Sequence, residues 1–142
     1  MKSVKNLLNT KSGLIFSVNG NTSVFESLEL MMEKNISALL IIENDKLEGI
    51  FTERDYARKI ILKGKTSRET EIKEIMSSDI ITITPDDTID HCMKVMTEKH
   101  IRHLPVLQND KVIGMVSIGD LVRFVIEDQK KTIEQLEKYI NS

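Results

Sequence analysis

Two short segments place a carboxylate three residues after a hydroxyl: Gly49-Ile50-Phe51-Thr52-Glu53-Arg54-Asp55 and Gly114-Met115-Val116-Ser117-Ile118-Gly119-Asp120. A hydroxyl and a carboxylate at this spacing make a capping box where a helix begins. On the residues alone the pair reads as a helix cap, and whether the carboxylate also serves a ligand stays open. The other candidates for chemistry are weaker. His91, His100 and His103 lie near Cys92, but their spacing fits no standard zinc pattern, so no metal site is assigned. Cys92 has no evident base partner and reads as a buried structural thiol. No glycine-rich phosphate loop, nucleophile elbow or dinucleotide fingerprint is present, which disfavours catalysis.

The elements that must position these residues come in two copies. Sliding the chain by 65 residues lays Asn44-Asp45-Lys46 on Asn109-Asp110-Lys111, Gly49 on Gly114 and Asp55 on Asp120. Met31, Glu33, Lys34, Ile36, Leu39, Arg58 and Ile61 also match, giving twelve identities without a gap between Thr22 and Leu62. Repetition of this kind is the signature of a duplicated structural unit. Each copy predicts the same order. A helix carries a stripe of Val24, Leu28 and Met31, or Ile89, Met93 and Met96, behind a Ser23 or Thr88 cap. An apolar run follows, Ala38 to Ile42 or Leu104 to Leu107. An Asn-Asp turn suited to positive φ comes next, then a second run, Leu47 to Phe51 or Val112 to Val116. A closing helix spans 53–62, or starts at 118. A short strand precedes each copy, Leu14 to Val18 and Ile80 to Ile83. One such unit leaves a sheet face bare, so two are expected to pack sheet to sheet with approximate two-fold symmetry as an α/β module.

The expected divisions are an N-terminal extension, 1–13, a first domain, 14–64, and a charged linker with a short helix, 65–78. A second domain, 79–127, and a helical C-terminal extension, 128–142, follow. The apolar stripe of that last helix needs a cover, either its own domain or a second copy. The chain has 142 residues and a net charge of −2, with 4% aromatic residues and no tryptophan. That is enough chain for a real core, without the charge or stacking platform of a nucleic-acid binder. The linker cations Lys63, Lys65, Arg68 and Lys73 are interrupted by Glu69, Glu71 and Glu74, as on a solvated face. No apolar run is long enough to span a bilayer and no secretory signal is evident, so a cytoplasmic protein is expected.

The repeated Gly-x-x-[Ser/Thr]-x-x-Asp segments, with Arg102-His103-Leu104-Pro105-Val106 and Ile80-Ile81-Thr82-Ile83-Thr84-Pro85-Asp86, resemble the CBS domain over about residues 14–127. The resemblance implies a stand-alone CBS pair, a regulatory energy sensor that is not an enzyme and requires no cofactor. It implies an adenosyl ligand, AMP, ADP or ATP first and NAD or S-adenosylmethionine next. It implies two clefts, each borrowing from both repeats. One would combine Thr52, Arg54, Asp55, Thr82, Thr84, Arg102, His103 and Pro105. The other would combine Ser17, Val18, Ala38, Leu40, Ser117 and Asp120. The aspartates would hold the ribose, and Arg102 and His103 would meet phosphate. The first copy has Ser37-Ala38 where the second has Arg102-His103, so the Asp55 cleft is expected to bind better. A homodimer and an unidentified effector protein are the expected partners. The alternative is an interaction module whose clefts are vestigial.

Overall fold

The structure, a computed structural model, describes residues 2–11 and 13–141. It is α/β with two sheets, a three-stranded one in the order β1-β2-β3 and a two-stranded one, β4-β5. The strands are β1 (Ser17–Val18), β2 (Ala38–Glu43), β3 (Lys46–Thr52), β4 (His103–Gln108) and β5 (Lys111–Ser117). The helices are α1 (Val4–Leu8), α2 (Val24–Lys34), the single turn α3 (Glu53–Asp55), α4 (Ile89–Lys99) and α5 (Ile118–Asn141). The chain divides into two compact units. One holds Leu14–Ile81 and Gln108–Val112, the other Met1–Gly13, Thr82–Leu107 and Ile113–Ser142.

The duplication seen in the sequence extends to backbone angles. Asn35 and His100 both end their helices in the left-handed region, at φ 53° and 55°. Asn44-Asp45 and Asn109-Asp110 take φ of 51° and 63°, and 53° and 64°. Two successive positive-φ residues twist a hairpin turn to match its strands, which is why Asn-Asp serves in both copies. Ser23 Oγ accepts from Glu26 N at 3.0 Å and Thr88 Oγ1 from His91 N at 3.0 Å, so each repeated helix starts on its expected cap.

Both strands expected ahead of the repeats are shorter than the apolar runs suggest. Only Ser17 and Val18 form β1, pairing in parallel with Leu40 and Ile41. The stretch Ile80 to Ile83 makes a single bridge, Ile83 with Val106. In the second copy a proline is the reason the pairing stops at one bridge. In the first copy Leu40 N donates to Phe16 O at 3.4 Å. The corresponding residue in the second copy is Pro105, which has no N–H to carry the ladder further back from Ile83. The helix expected over 53–62 is present, but after α3 it widens to π-helical turns over Tyr56–Ile61. Gly64, at φ 66°, follows its end.

In the first unit Val24 and Met31 of α2 pack with Leu39 and Ile41 of β2, Phe51 of β3, Ile60, and Ile72 and Ile75 from the linker. In the second, Val4 and Leu7 of α1 are buried along with Ile89, Cys92, Met96, Leu104, Val116 and Leu121. Helices α1 and α4 both pack on α5.

The N-terminal residues are a structural part of their unit, and they copy the linker. Val4 N and Lys5 N donate to Asp87 O and Pro85 O at 2.8 and 3.0 Å. Ile72 N and Lys73 N donate to Thr22 O and Gly20 O at 2.7 and 3.0 Å. Helix α1 is therefore the counterpart of the turn at Ile72–Glu74, displaced by 68 residues. Each covers a glycine of its unit. A Cβ at Gly114 would lie 2.9 Å from Leu8 Cδ2, and one at Gly49 would lie 2.7 Å from Met76 Cγ.

Helix α5 outruns its unit: from Gln129 to Asn141 every residue is exposed. Packing back on its own domain, one of the two covers expected for the stripe, therefore does not occur beyond Asp128. Among the described residues no helix is long and apolar enough to cross a membrane.

Candidate functional site

Both hydroxyl–carboxylate pairs fold as reciprocal capping boxes, and each ends a hairpin strand. In the first unit Thr52 N donates to Asp55 Oδ2 at 3.0 Å and Asp55 N to Thr52 Oγ1 at 3.3 Å. In the second Ser117 N donates to Asp120 Oδ2 at 2.9 Å and Asp120 N to Ser117 Oγ at 3.1 Å. A negative charge in the first helical turn is favourable, so the local sequence fixes both carboxylates before any ligand is considered. The capping reading is thus realised at both positions, and it leaves lone pairs for a ligand.

The two carboxylates differ in their remaining partners. Asp55 is 9% exposed. Its Oδ1 receives the Ser77 hydroxyl at 3.4 Å and the Lys59 ammonium at 3.4 Å, while Lys59 also donates to Ile75 O at 2.9 Å. Asp120 is gripped more closely. Lys11 Nζ lies 2.7 Å from Oδ2, and Arg123 donates to Oδ1 at 2.8 Å. Burial pushes the Asp120 carboxyl up, but the Lys11 and Ser117 hydrogen bonds overcome it and hold the group below the usual carboxylate range.

The remaining expected site residues fall into the two units. The first brings together Thr52, Ala38, Leu40 and Ser17, because Ala38 pairs with Thr52 and Leu40 with Ser17 across the sheet. Ala38 and Leu40 are buried, Ser17 is exposed and Val18 half-buried. Arg54 is exposed beside Asp55. In the second unit Ile83 N donates to Pro105 O at 3.0 Å, and the alternation of a strand turns Thr82 and Thr84 outward from buried Ile83. Ile118 N donates to Arg102 O at 2.9 Å, which sets the exposed Arg102 beside the start of α5.

His103, expected to meet phosphate as a cation, is half-buried. Burial lowers its pKa most, Asp120 raises it, and Arg102 and Lys11 lower it further. Its charged form is disfavoured, so Arg102 is the lasting positive charge of that pair. Among the described residues no group of three His, Cys, Asp or Glu gathers in a metal-holding arrangement. His100 serves as the left-handed cap of α4. Burial, with Asp87 adding to it, pushes the Cys92 thiol to about 11, which makes it inert as a nucleophile.

Lys11 is the site residue that sequence reasoning missed. Its signal lay in Val4-Lys5-x-Leu7-Leu8 against Ile72-Lys73-x-Ile75-Met76. That match is hidden because its offset is 68 where the rest of the repeat uses 65. Beside Lys11 and Asp120 is a cavity of about 330 Å³, bordered by Leu7, Arg123, Phe124 and Lys131.

A family model for the CBS domain matches residues 12–62 and 72–127. A CBS domain-containing protein of Arabidopsis thaliana, named as mitochondrial, is 40% identical over 123 residues; these cover 83% of this chain and 60% of that one. The chain thus spans less than two thirds of that relative. Among solved structures, a protein with CBS domains from Burkholderia ambifaria is 44% identical with a TM-score of 0.87, covering 90% of this chain and 96% of that one. The CBS domain pair of protein MJ0100, solved in complex with 5′-methylthioadenosine and S-adenosyl-L-methionine, is 28% identical with a TM-score of 0.78, covering 90% of this chain and 98% of that one.

Proposed function

This chain belongs to the CBS domain family, and we propose that it is a regulatory module that binds an adenosyl ligand through Asp55 and passes the binding event to a separate protein. The observation that carries this reading is the state of Asp55. It is a nearly buried carboxylate, oriented by Thr52, with Oδ1 held only by contacts of 3.4 Å. Such a group is pre-positioned for a ribose diol, which would replace long contacts with short charge-assisted ones. The adenosyl compounds bound by the MJ0100 pair support the ligand class. AMP, ADP, ATP, NAD and S-adenosylmethionine all present the adenosine that this carboxylate would read. The module acts by binding, not by catalysis. A ligand biases it only through differential affinity for two arrangements.

A second copy of the chain is the partner we propose for α5. Ile126, Ile133, Leu136 and Ile140 are 46–76% exposed along one helix. A helical stripe of this length is stable when a like surface covers it.

Thermal unfolding with each adenosyl compound tests the function. A ligand at 100 times its Kd adds about 2.7 kcal/mol of stability and raises the midpoint. Asp55→Asn keeps the cap geometry but loses the charge, which costs about 1.5–3 kcal/mol of binding, or ten- to a hundred-fold in affinity. An unmoved midpoint with every compound would leave the vestigial interaction module as the better account.

A further inference from the structure

The bonds around Asp120 leave it little capacity for a ligand. A carboxylate oxygen offers two lone pairs. Asp120 Oδ2 has both in use, accepting from Ser117 N at 2.9 Å and Lys11 Nζ at 2.7 Å. Oδ1 accepts from Arg123 at 2.8 Å. Two of these three bonds come from cations at 2.7 and 2.8 Å, so a diol must break a short charge-assisted bond to enter. The lysine is fixed independently of the carboxylate, because it also donates to Met115 O at 2.7 Å on the strand leading to Ser117.

The first unit shows what the same fold does without this lysine. Leu8 and Met76 are counterparts, each covering its glycine. The third residue beyond Leu8 is Lys11, and the third beyond Met76 is Asp79. An aspartate cannot donate to Asp55. Asp55 Oδ2 accepts from Thr52 N and Oγ1 at 3.0 and 3.2 Å, and Oδ1 has only the 3.4 Å contacts of Ser77 and Lys59, which a ligand displaces more readily than the 2.7 Å bond of Lys11.

We propose that Lys11 is an intramolecular competitor that decides which of the two carboxylates takes ligand. It holds Asp120 closed and leaves Asp55 open. The proposal rests on the reading that these aspartates bind the ribose of an adenosyl compound. The contact is reversible in principle: the Lys11 side chain is 33% exposed, and the adjoining cavity of about 330 Å³ gives it room once displaced. Removing the ammonium returns one lone pair to Oδ2, so that each oxygen of Asp120 can accept one diol hydroxyl.

The test is titration calorimetry with AMP and with S-adenosylmethionine on wild type, Lys11→Met, Lys11→Met/Asp120→Asn and Asp55→Asn. Wild type should bind one ligand per chain, lost in Asp55→Asn. Lys11→Met should add a second site, tightened at least about ten-fold, that disappears in Lys11→Met/Asp120→Asn. Two equal sites in wild type overturn the proposal. So does a Lys11→Met variant that still binds one ligand, and in that case the Asp55 reading stands. Binding by none of the proteins overturns both. Mass-spectrometric measurement of lysine acetylation gives a ligand-free check. Lys11 should react more slowly than Lys130, and Asp120→Asn should raise its rate while the bond to Met115 O keeps it below that of Lys130. Equal rates in wild type refute the contact.

Discussion

Replacing Gly49 by alanine tests how packing beneath the motif reaches the carboxylate. A Cβ at Gly49 would overlap Met76 Sδ, lie 2.7 Å from Cγ and lie 3.1 Å from Cβ of the same residue. The Sδ and Cγ contacts could be relieved by a rotamer change. The Cβ contact is close to the backbone, so the linker turn itself must shift. That turn carries Ile72 and Ile75 into the core and is followed at once by Ser77, which pairs with Ile50 through 2.9 and 3.0 Å backbone bonds and donates to Asp55. Overpacking of this kind costs about 1–3 kcal/mol, a fall of several degrees in midpoint for a chain of this size. Gly114→Ala meets only the far end of Leu8, at 2.9 Å, and should cost less. Urea unfolding of both variants measures the pair, with an unchanged m-value showing that the effect lies in stability. The double variant Gly49→Ala/Met76→Ala should recover only the part of the loss due to the Sδ and Cγ overlap, since an alanine at position 76 keeps the Cβ that lies 3.1 Å from the new methyl. Ligand affinity should fall in Gly49→Ala and far less in Gly114→Ala. A Gly49→Ala protein as stable as wild type, or a Gly114→Ala protein that is the worse of the two, would refute the packing account.

Two further expectations concern pH. Asp120 is held below its ordinary value, so its contribution is present above the usual carboxylate range and is lost as pH falls through that range to the lower native value; the stability gap between wild type and Asp120→Asn should close on acidification below about pH 4, and a constant gap would show that the ion pairs contribute nothing. Cys92 behaves in the opposite sense: its folded pKa is raised to about 11, so stability is complete below the ordinary thiol value and is lost as pH climbs toward 11. Cys92→Ser should flatten that alkaline decline, and thiol alkylation at neutral pH should proceed only through unfolding; rapid labelling of the native protein would contradict the burial.

Much of the fold was legible because it is written twice. The Asn-Asp turns, the helix caps and the hydroxyl–carboxylate pairs depend on local residue types, and each copy corroborates the other. The two errors in the leading strands have a different origin. An apolar run states that residues are buried, not that a neighbour can bond to them, and the missing N–H of Pro105 lies more than 20 residues from the run it truncates. The site was half legible. Asp55 and Asp120 were found from spacing, but their inequality was traced to Ser37-Ala38 against Arg102-His103. The structure adds a difference that lies elsewhere. Burial disfavours the charged form of His103, and the bond that distinguishes Asp120 comes from Lys11, 109 residues away in the chain. Periodicity cannot register such a pair, since a single lysine carries no pattern.

Duplication makes that single lysine consequential. Two copies of a capping box have the same intrinsic geometry, so any difference in ligand response must come from what surrounds them. Here the surroundings are supplied by α1 and by the linker turn, which cover their glycines alike but part beyond Leu8 and Met76: Ser77 pairs with Ile50 through the backbone, whereas Met115 O accepts from the Lys11 side chain. A carboxylate already paired at 2.7 and 2.8 Å responds to a ligand only by exchanging bonds, so its net gain is small. Asp55 is bonded at 3.0 and 3.2 Å through Oδ2 and at 3.4 Å through Oδ1, so a new bond to Oδ1 displaces weaker contacts and its net gain is larger. If the two aspartates take the ribose as proposed, Asp55 should be the stronger site, and Lys11→Met should narrow the difference between them.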